Sequence, residues 1–219
     1  VGAGSWGTAF ARHLALRGTH THLLSRRSDH AAAMAGLRRN PDYLRTVTFP
    51  EGLHVGTYTN FDFSVCDLVV LAVPSRGYAK AVETLQPLLP AGVSILSLTK
   101  GLEPGTLRRL SVVLEEVLER LSPRIAVLSG PNHAEEVSLD MPAATVIASK
   151  DQAYAQELQE LVSDERFRAY INSDLVGVEI AGTVKNVIAL ATGAADGLGF
   201  GDNTRAAVMT RGLAEMARL

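Results

Sequence analysis

Val1-Gly2-Ala3-Gly4-Ser5-Trp6-Gly7 opens the chain and forms a G-x-G-x-x-G loop. In a βαβ unit such a loop seats a dinucleotide pyrophosphate. Gly2 permits the tight turn, Gly4 lets the backbone approach the phosphates, and Gly7 lets helix and strand pack closely. The free N–H groups of the following helix then face the anion. The neighbouring sequence supplies the context the motif requires. Thr8 to Arg17 reads as a helix closed by Gly18 at C′, and His20 to Ser25 reads as a strand. A glycine turn without a ligand is the plainer alternative. Only Val1 precedes the loop, where a Rossmann first strand needs several apolar residues, and there is no initiator Met. The chain also stops at Leu219 inside an apparent helix. The expectation is a fragment cut at both ends.

Composition narrows the class. The 219 residues are 47% hydrophobic and 20% charged, with a net charge of −2, as in an ordinary globular protein. No general affinity for nucleic acid or anionic membrane is implied. No apolar run approaches about 18 residues, so no membrane span is expected. The single cysteine, Cys66, excludes an internal disulfide and fits a reducing compartment. It reads as a small buried residue at a strand edge. Lysine is scarce: Lys80, Lys100, Lys150 and Lys185 are the only four.

Apolar runs alternate with helical patterns, which predicts a mostly parallel sheet with helices on both faces. Helices are expected over 29–39, 78–89, 106–121 and 151–163, and strands over 68–73, 93–98, 125–128, 143–149 and 167–172. Residues 40–59, with Pro41 and Pro50, read as loop. From Asp174 the pattern changes to two helices, 174–195 and 204–219, with no strand between them. This places a domain boundary near 172–174, dividing 1–173 from 174–219.

The polar motifs stand just after strand ends, where open α/β sheets bind ligands. They are Val73-Pro74-Ser75, Thr99-Lys100-Gly101 and Ser129-Gly130-Pro131-Asn132-His133. Asn132 with Glu135 reads as a capping box at a helix start that holds ligand oxygens. His133 is a candidate acid/base or a plain surface histidine. Lys185 has Ala181, Gly182, Ile188 and Ala189 as its helical neighbours, so no carboxylate pairs with it. It is either a snorkelling lysine or a partly desolvated one with a lowered pKa suited to proton transfer. Arg26 and Arg27 stand about 20 residues after Gly7, where Asp or Glu would bind a ribose 2′-hydroxyl and Arg accommodates a 2′-phosphate. NADP is the cofactor expected there, or NAD with NADP accepted; a plain surface charge is the alternative for Arg26.

GAGSWGTA, a VPS turn, TKGLE, SGPNHAEEV and GTVKNVIALATGAADGLGFGDNTRAAVMTRGLAEMARL follow in this order. With this spacing the whole chain resembles the bacterial NAD(P)-dependent glycerol-3-phosphate dehydrogenases, most specifically over 182–219. The resemblance implies reversible oxidation of sn-glycerol 3-phosphate to dihydroxyacetone phosphate, supplying glycerophospholipid synthesis in a cytoplasmic enzyme. It implies a Rossmann domain followed by the start of an all-helical domain like that of 6-phosphogluconate dehydrogenase. The family's general acid/base falls on Lys185, and its second lysine, at the cofactor–substrate junction, on Lys100. Ser5, Trp6, Arg26 and Ala134 match cofactor contacts beside Gly2, Gly4, Gly7, Arg27 and Pro74. Gly130 and Asn132 match substrate contacts, although many relatives carry Ser or Thr in place of Asn132. The family's substrate-phosphate residues would lie beyond Leu219, so this piece alone is expected to be nearly inactive. No metal is expected. A homodimer or packing on a further segment would cover the last helix. A different β-hydroxyacid dehydrogenase and a non-catalytic dinucleotide sensor are the other readings.

Overall fold

Three hydrogen bonds carry the glycine loop into the sheet. The computed structural model describes residues 1–219. In it the Gly2 N–H donates to Leu24 O (2.9 Å), the Ala72 N–H donates to Val1 O (2.9 Å), and the Val1 amino group donates to Val70 O (2.6 Å). This short segment therefore bridges two strand groups. On one side lie β1 (Thr21–Ser25) and β2 (Leu53–Thr57), paired in parallel. On the other lie β3 (Val69–Leu71), β4 (Ser94–Ser97), β5 (Arg124–Ser129), β6 (Ala143–Ser149) and β7 (Phe167–Asn172), in that spatial order. Every strand pairing in this group is parallel except β5 with β6. The expected mostly parallel α/β sheet is present.

Alternation along the strands sends side chains to opposite faces. Val69, Leu71 and Ile95 pack with α3 (Tyr78–Leu85) and α4 (Leu110–Val117) through Tyr78, Val82, Leu110 and Leu114. Val70, Leu96 and Leu98 pack with α1 (Ser5–Leu16) and α6 (Gln152–Val162) through Phe10, Leu14, Tyr154 and Leu158. The remaining helices are α2 (Ser28–Leu37), the short α5 (Ala134–Ser138), α7 (Leu175–Gly197) and α8 (Asp202–Met216).

Several expectations are corrected. The 40–59 loop contains β2, an edge strand whose pattern is hidden by Gly52 just before it and Gly56 within it. The helix expected from 106 starts at Leu110. Residues 102–109 instead close on themselves through the Leu102–Arg109 bridge, with Leu107 at φ 58°. Cys66 is half-buried at the end of a 3₁₀ turn (Phe63–Val65) ahead of β3, not at a strand edge. Burial pushes its thiol pKa up. The ground for expecting no membrane span also fails. α7 has 23 residues and a mean hydropathy of 1.4 over its most apolar window, long and apolar enough to cross a membrane. Here it docks on β5 and pairs with α8.

Candidate functional site

The start of α1 is built for an anion. Its N-cap is Gly4, no side chain caps it, and its first turn holds no acidic residue. The first backbone N–H groups are therefore free to meet a ligand. Gly2 has φ +105°, and a Cβ there would collide with the Ala72 carbonyl; a Cβ at Gly7 would collide with the Gly2 carbonyl. Gly4 faces open space. Each glycine thus does what the loop motif asks: turn, close packing, and unobstructed approach.

A cleft of about 880 Å³ opens over this loop at the C-terminal ends of the strands. Gly2, Gly4, Ser5 and Trp6 form its floor, and Arg26 and Arg27 stand beyond β1. Pro74, Lys100, Asn132 and Ala134 enter from the turns after β3, β4 and β5. The three polar turns therefore share one cleft. The volume suits a ligand of dinucleotide size. Trp6 Nε1 and Asn132 Oδ1 are buried without a hydrogen-bond partner. Orphaned polar atoms in a cleft wall fit a site that gains its partners from a ligand. His30, Asp42 and Tyr43 also line the cleft and were missed by sequence reasoning. His30 comes from the first turn of α2, and Asp42 and Tyr43 from the irregular segment ahead of β2, where no periodicity marks them.

Lys100 and Lys185 converge just past this wall. Lys100 Nζ donates to Gly130 O at 3.0 Å and Lys185 Nζ donates to the same oxygen at 2.6 Å. Both lysines are half-buried. The Lys185 head is thus engaged rather than snorkelling. Burial, and then the adjacent Lys185 ammonium, pushes the Lys100 pKa down to about 8. Lys100 Nζ also stands 6.0 Å from the Trp6 ring centroid. Gly130 fits because a Cβ would press at 2.9 Å on Ala144 O.

The capping box does not form. α5 is capped by His133, whose Nδ1 lies 3.1 Å from Glu135 Oε2, while Asn132 Nδ2 donates to Ala144 O at 2.9 Å. Asn132 braces the Gly130 turn against β6 and leaves its Oδ1 free. At the other end of the cleft, Arg27 is engaged by Asp29 (3.3 Å) and Asp42 (3.4 Å). Arg26 is exposed and makes no ion pair.

A doubly wound sheet, a glycine loop at a bare helix start and a cleft at the strand ends define a dinucleotide-binding protein. Residues 1–155 match the family described as NAD-dependent glycerol-3-phosphate dehydrogenase N-terminus, and residues 174–219 match its C-terminus counterpart. The chain belongs to the NAD-dependent glycerol-3-phosphate dehydrogenase family. It is 46% identical to a glycerol-3-phosphate dehydrogenase [NAD(P)+] of Prosthecochloris aestuarii, covering all of this chain and 66% of that one. It is 47% identical to one of Moorella thermoacetica, covering 64% of that chain. The crystal structure of glycerol-3-phosphate dehydrogenase from Coxiella burnetii superposes with a TM-score of 0.91 at 40% identity, over 99% of this chain and 66% of that one. The chain thus spans just under two thirds of the length of these relatives.

Proposed function

We propose that the protein interconverts sn-glycerol 3-phosphate and dihydroxyacetone phosphate with NADP or NAD, feeding glycerophospholipid synthesis in the cytoplasm. The carrying observation is the convergence of Lys100 and Lys185 on the Gly130 carbonyl at the end of a dinucleotide cleft. Bound NAD(P)+ supplies the hydride acceptor for the carbinol carbon. Lys185 takes the C2-hydroxyl proton at Nζ during oxidation and returns it during reduction. Lys100 holds positive charge beside the oxygen as it becomes anionic. Gly130 and Asn132 orient the substrate, and Ser5, Trp6, Gly4, Pro74 and Ala134 hold the cofactor. Residues 1–173 bind the cofactor, and 174–219 bring Lys185 to it. Exposed Leu190, Phe200 and Leu213 on and between α7 and α8 suit association with a second copy or with a further segment.

Absorbance at 340 nm tests the reading in the full-length protein, with dihydroxyacetone phosphate and NADPH or NADH. Wild type oxidises the reduced cofactor. Lys185→Ala loses at least about 10²-fold in rate while still binding cofactor, the scale of general acid/base removal. A folded, cofactor-binding wild type that turns over only 3-hydroxy acids, or nothing, would sink the proposal.

A further inference from the structure

Glu179 lies on α7, two helical turns before Lys185, and takes no part in the chemistry above. Its side chain is 7% exposed. A buried carboxylate needs strong partners to persist, and Glu179 has three. Ser111 N–H donates to Oε1 at 2.9 Å, Ser111 Oγ donates to Oε2 at 2.6 Å, and Arg109 Nη1 donates to Oε2 at 2.9 Å. All three donors sit at the start of α4. The N-cap of that helix is Arg109, which has no side-chain acceptor to offer, and no residue of its own first turn is acidic. Glu179 supplies the missing acceptor from another helix, and its charge meets the positive end of α4.

Both catalytic lysines hang from this joint. Arg109 closes the loop that begins at Lys100. Leu102 pairs with Arg109, the Glu103 N–H donates to Arg108 O (2.9 Å), and the Leu107 N–H donates to Glu103 O (2.9 Å). On α7, Gly182 lies midway between Glu179 and Lys185 and rests against Ser129, one residue before Gly130. Six residues of helix separate Glu179 from Lys185 by about 9 Å along a rigid rod. Any slide of the rod at Glu179 reaches Lys185 undiminished.

We infer that Glu179 is a positioning residue that ties α7 to the Lys100 loop and so holds Lys185 and Lys100 on one carbonyl. The inference rests on the proposed role of Lys185. It assigns Glu179, Ser111 and Arg109 to active-site geometry across separate elements, with no contact to substrate.

A double-mutant cycle in the full-length protein tests it, reading kcat for dihydroxyacetone phosphate reduction and calorimetric affinity for NADPH. Glu179→Ala lowers kcat about 10- to 100-fold, the scale of ångström misplacement, and leaves NADPH affinity unchanged. Glu179→Gln, which keeps the acceptor for the Ser111 N–H, recovers most of the loss. In the Lys185→Ala background the Glu179 change costs much less, because the part of its effect that runs through Lys185 is already lost. Equal losses in both backgrounds, or near-wild-type kcat in folded Glu179→Ala, overturn the inference. If Glu179→Ala does not fold, Ser111→Ala carries the same cycle with one of the three bonds to Glu179 removed. Full turnover in Lys185→Ala alone would instead overturn the functional reading itself.

Discussion

Two neighbouring arginines at the cofactor cleft are chemically alike and physically different. Arg27 is held by Asp29 and Asp42, whereas Arg26 has no carboxylate partner. A 2′-phosphate would meet one free guanidinium, one neutralised one, and the carboxylate of Asp42. Arg26→Ala is expected to weaken NADPH binding about tenfold, the worth of one charge-assisted hydrogen bond (~1.5 kcal/mol), and to leave NADH binding unchanged. Asp42→Asn should strengthen NADPH binding a few-fold by removing one of the two carboxylates on Arg27 and a like charge beside the phosphate. Parallel calorimetric titrations of both cofactors check this; equal losses for NADH and NADPH in Arg26→Ala would refute it. The sequence showed the arginines but not their difference. Asp42 sits fifteen residues away in an aperiodic stretch, and only the fold brings it to Arg27.

At the scale of the element, α7 is the part on which most depends. Its N-cap, Asp174, accepts the Gly177 N–H at 2.8 Å, which fixes where the helix begins. Gly182 then lets it lie directly on Ser129. A methyl at 182 would strike Ser129 Oγ, while Ser129 Cβ stands 3.4 Å away at ordinary contact. Gly182→Ala should therefore cost about 1–3 kcal/mol through overpacking and lower kcat by tilting Lys185. Adding Ser129→Ala removes the obstructing atom and should restore most of both. Urea unfolding and kcat on the two single variants and the double decide it; no recovery in the double variant counts against the contact. α7 was legible from its run of small and apolar residues, as were the glycine loop and the strands 143–149 and 167–172. The start of α4 was not, because Arg109 and Ser111 take their cap from Glu179, 68 residues or more downstream. The capping box at Asn132 misled for a related reason: its Nδ2 is tied to the Ala144 carbonyl of β6, and the N-cap position falls to His133.

For the molecule as a whole, the site carries a cost in stability. Lys100 has a pKa of about 8 in the fold against 10.5 for the free side chain. Between these values the unfolded chain holds more protons, so stability rises with pH across that window. Below pH 8 the native state bears the full penalty of a crowded, part-buried ammonium. Solvent screening keeps the effect to about 1 kcal/mol. Lys100→Met is thus expected to raise the melting temperature by about 2–4 °C at pH 7, with the gain shrinking toward pH 10.5, and to lose activity. Thermal melts from pH 7 to 10.5 follow this, and a lower melting temperature for Lys100→Met at pH 7 would contradict it. Patterning revealed the doubly wound plan because it is repeated along the chain. The tension between two ammonium groups was hidden because Lys100 and Lys185 lie 85 residues apart and only the fold brings them together at Gly130.

Trp6 is the sole tryptophan of the chain and stands in the cleft floor below Lys100. Its indole emission overlaps the near-ultraviolet absorption of a reduced nicotinamide ring, so a reduced cofactor seated in the cleft would act as an energy-transfer acceptor for Trp6. The cleft therefore carries its own optical probe, and intrinsic quenching reads occupancy at this one place without any added label.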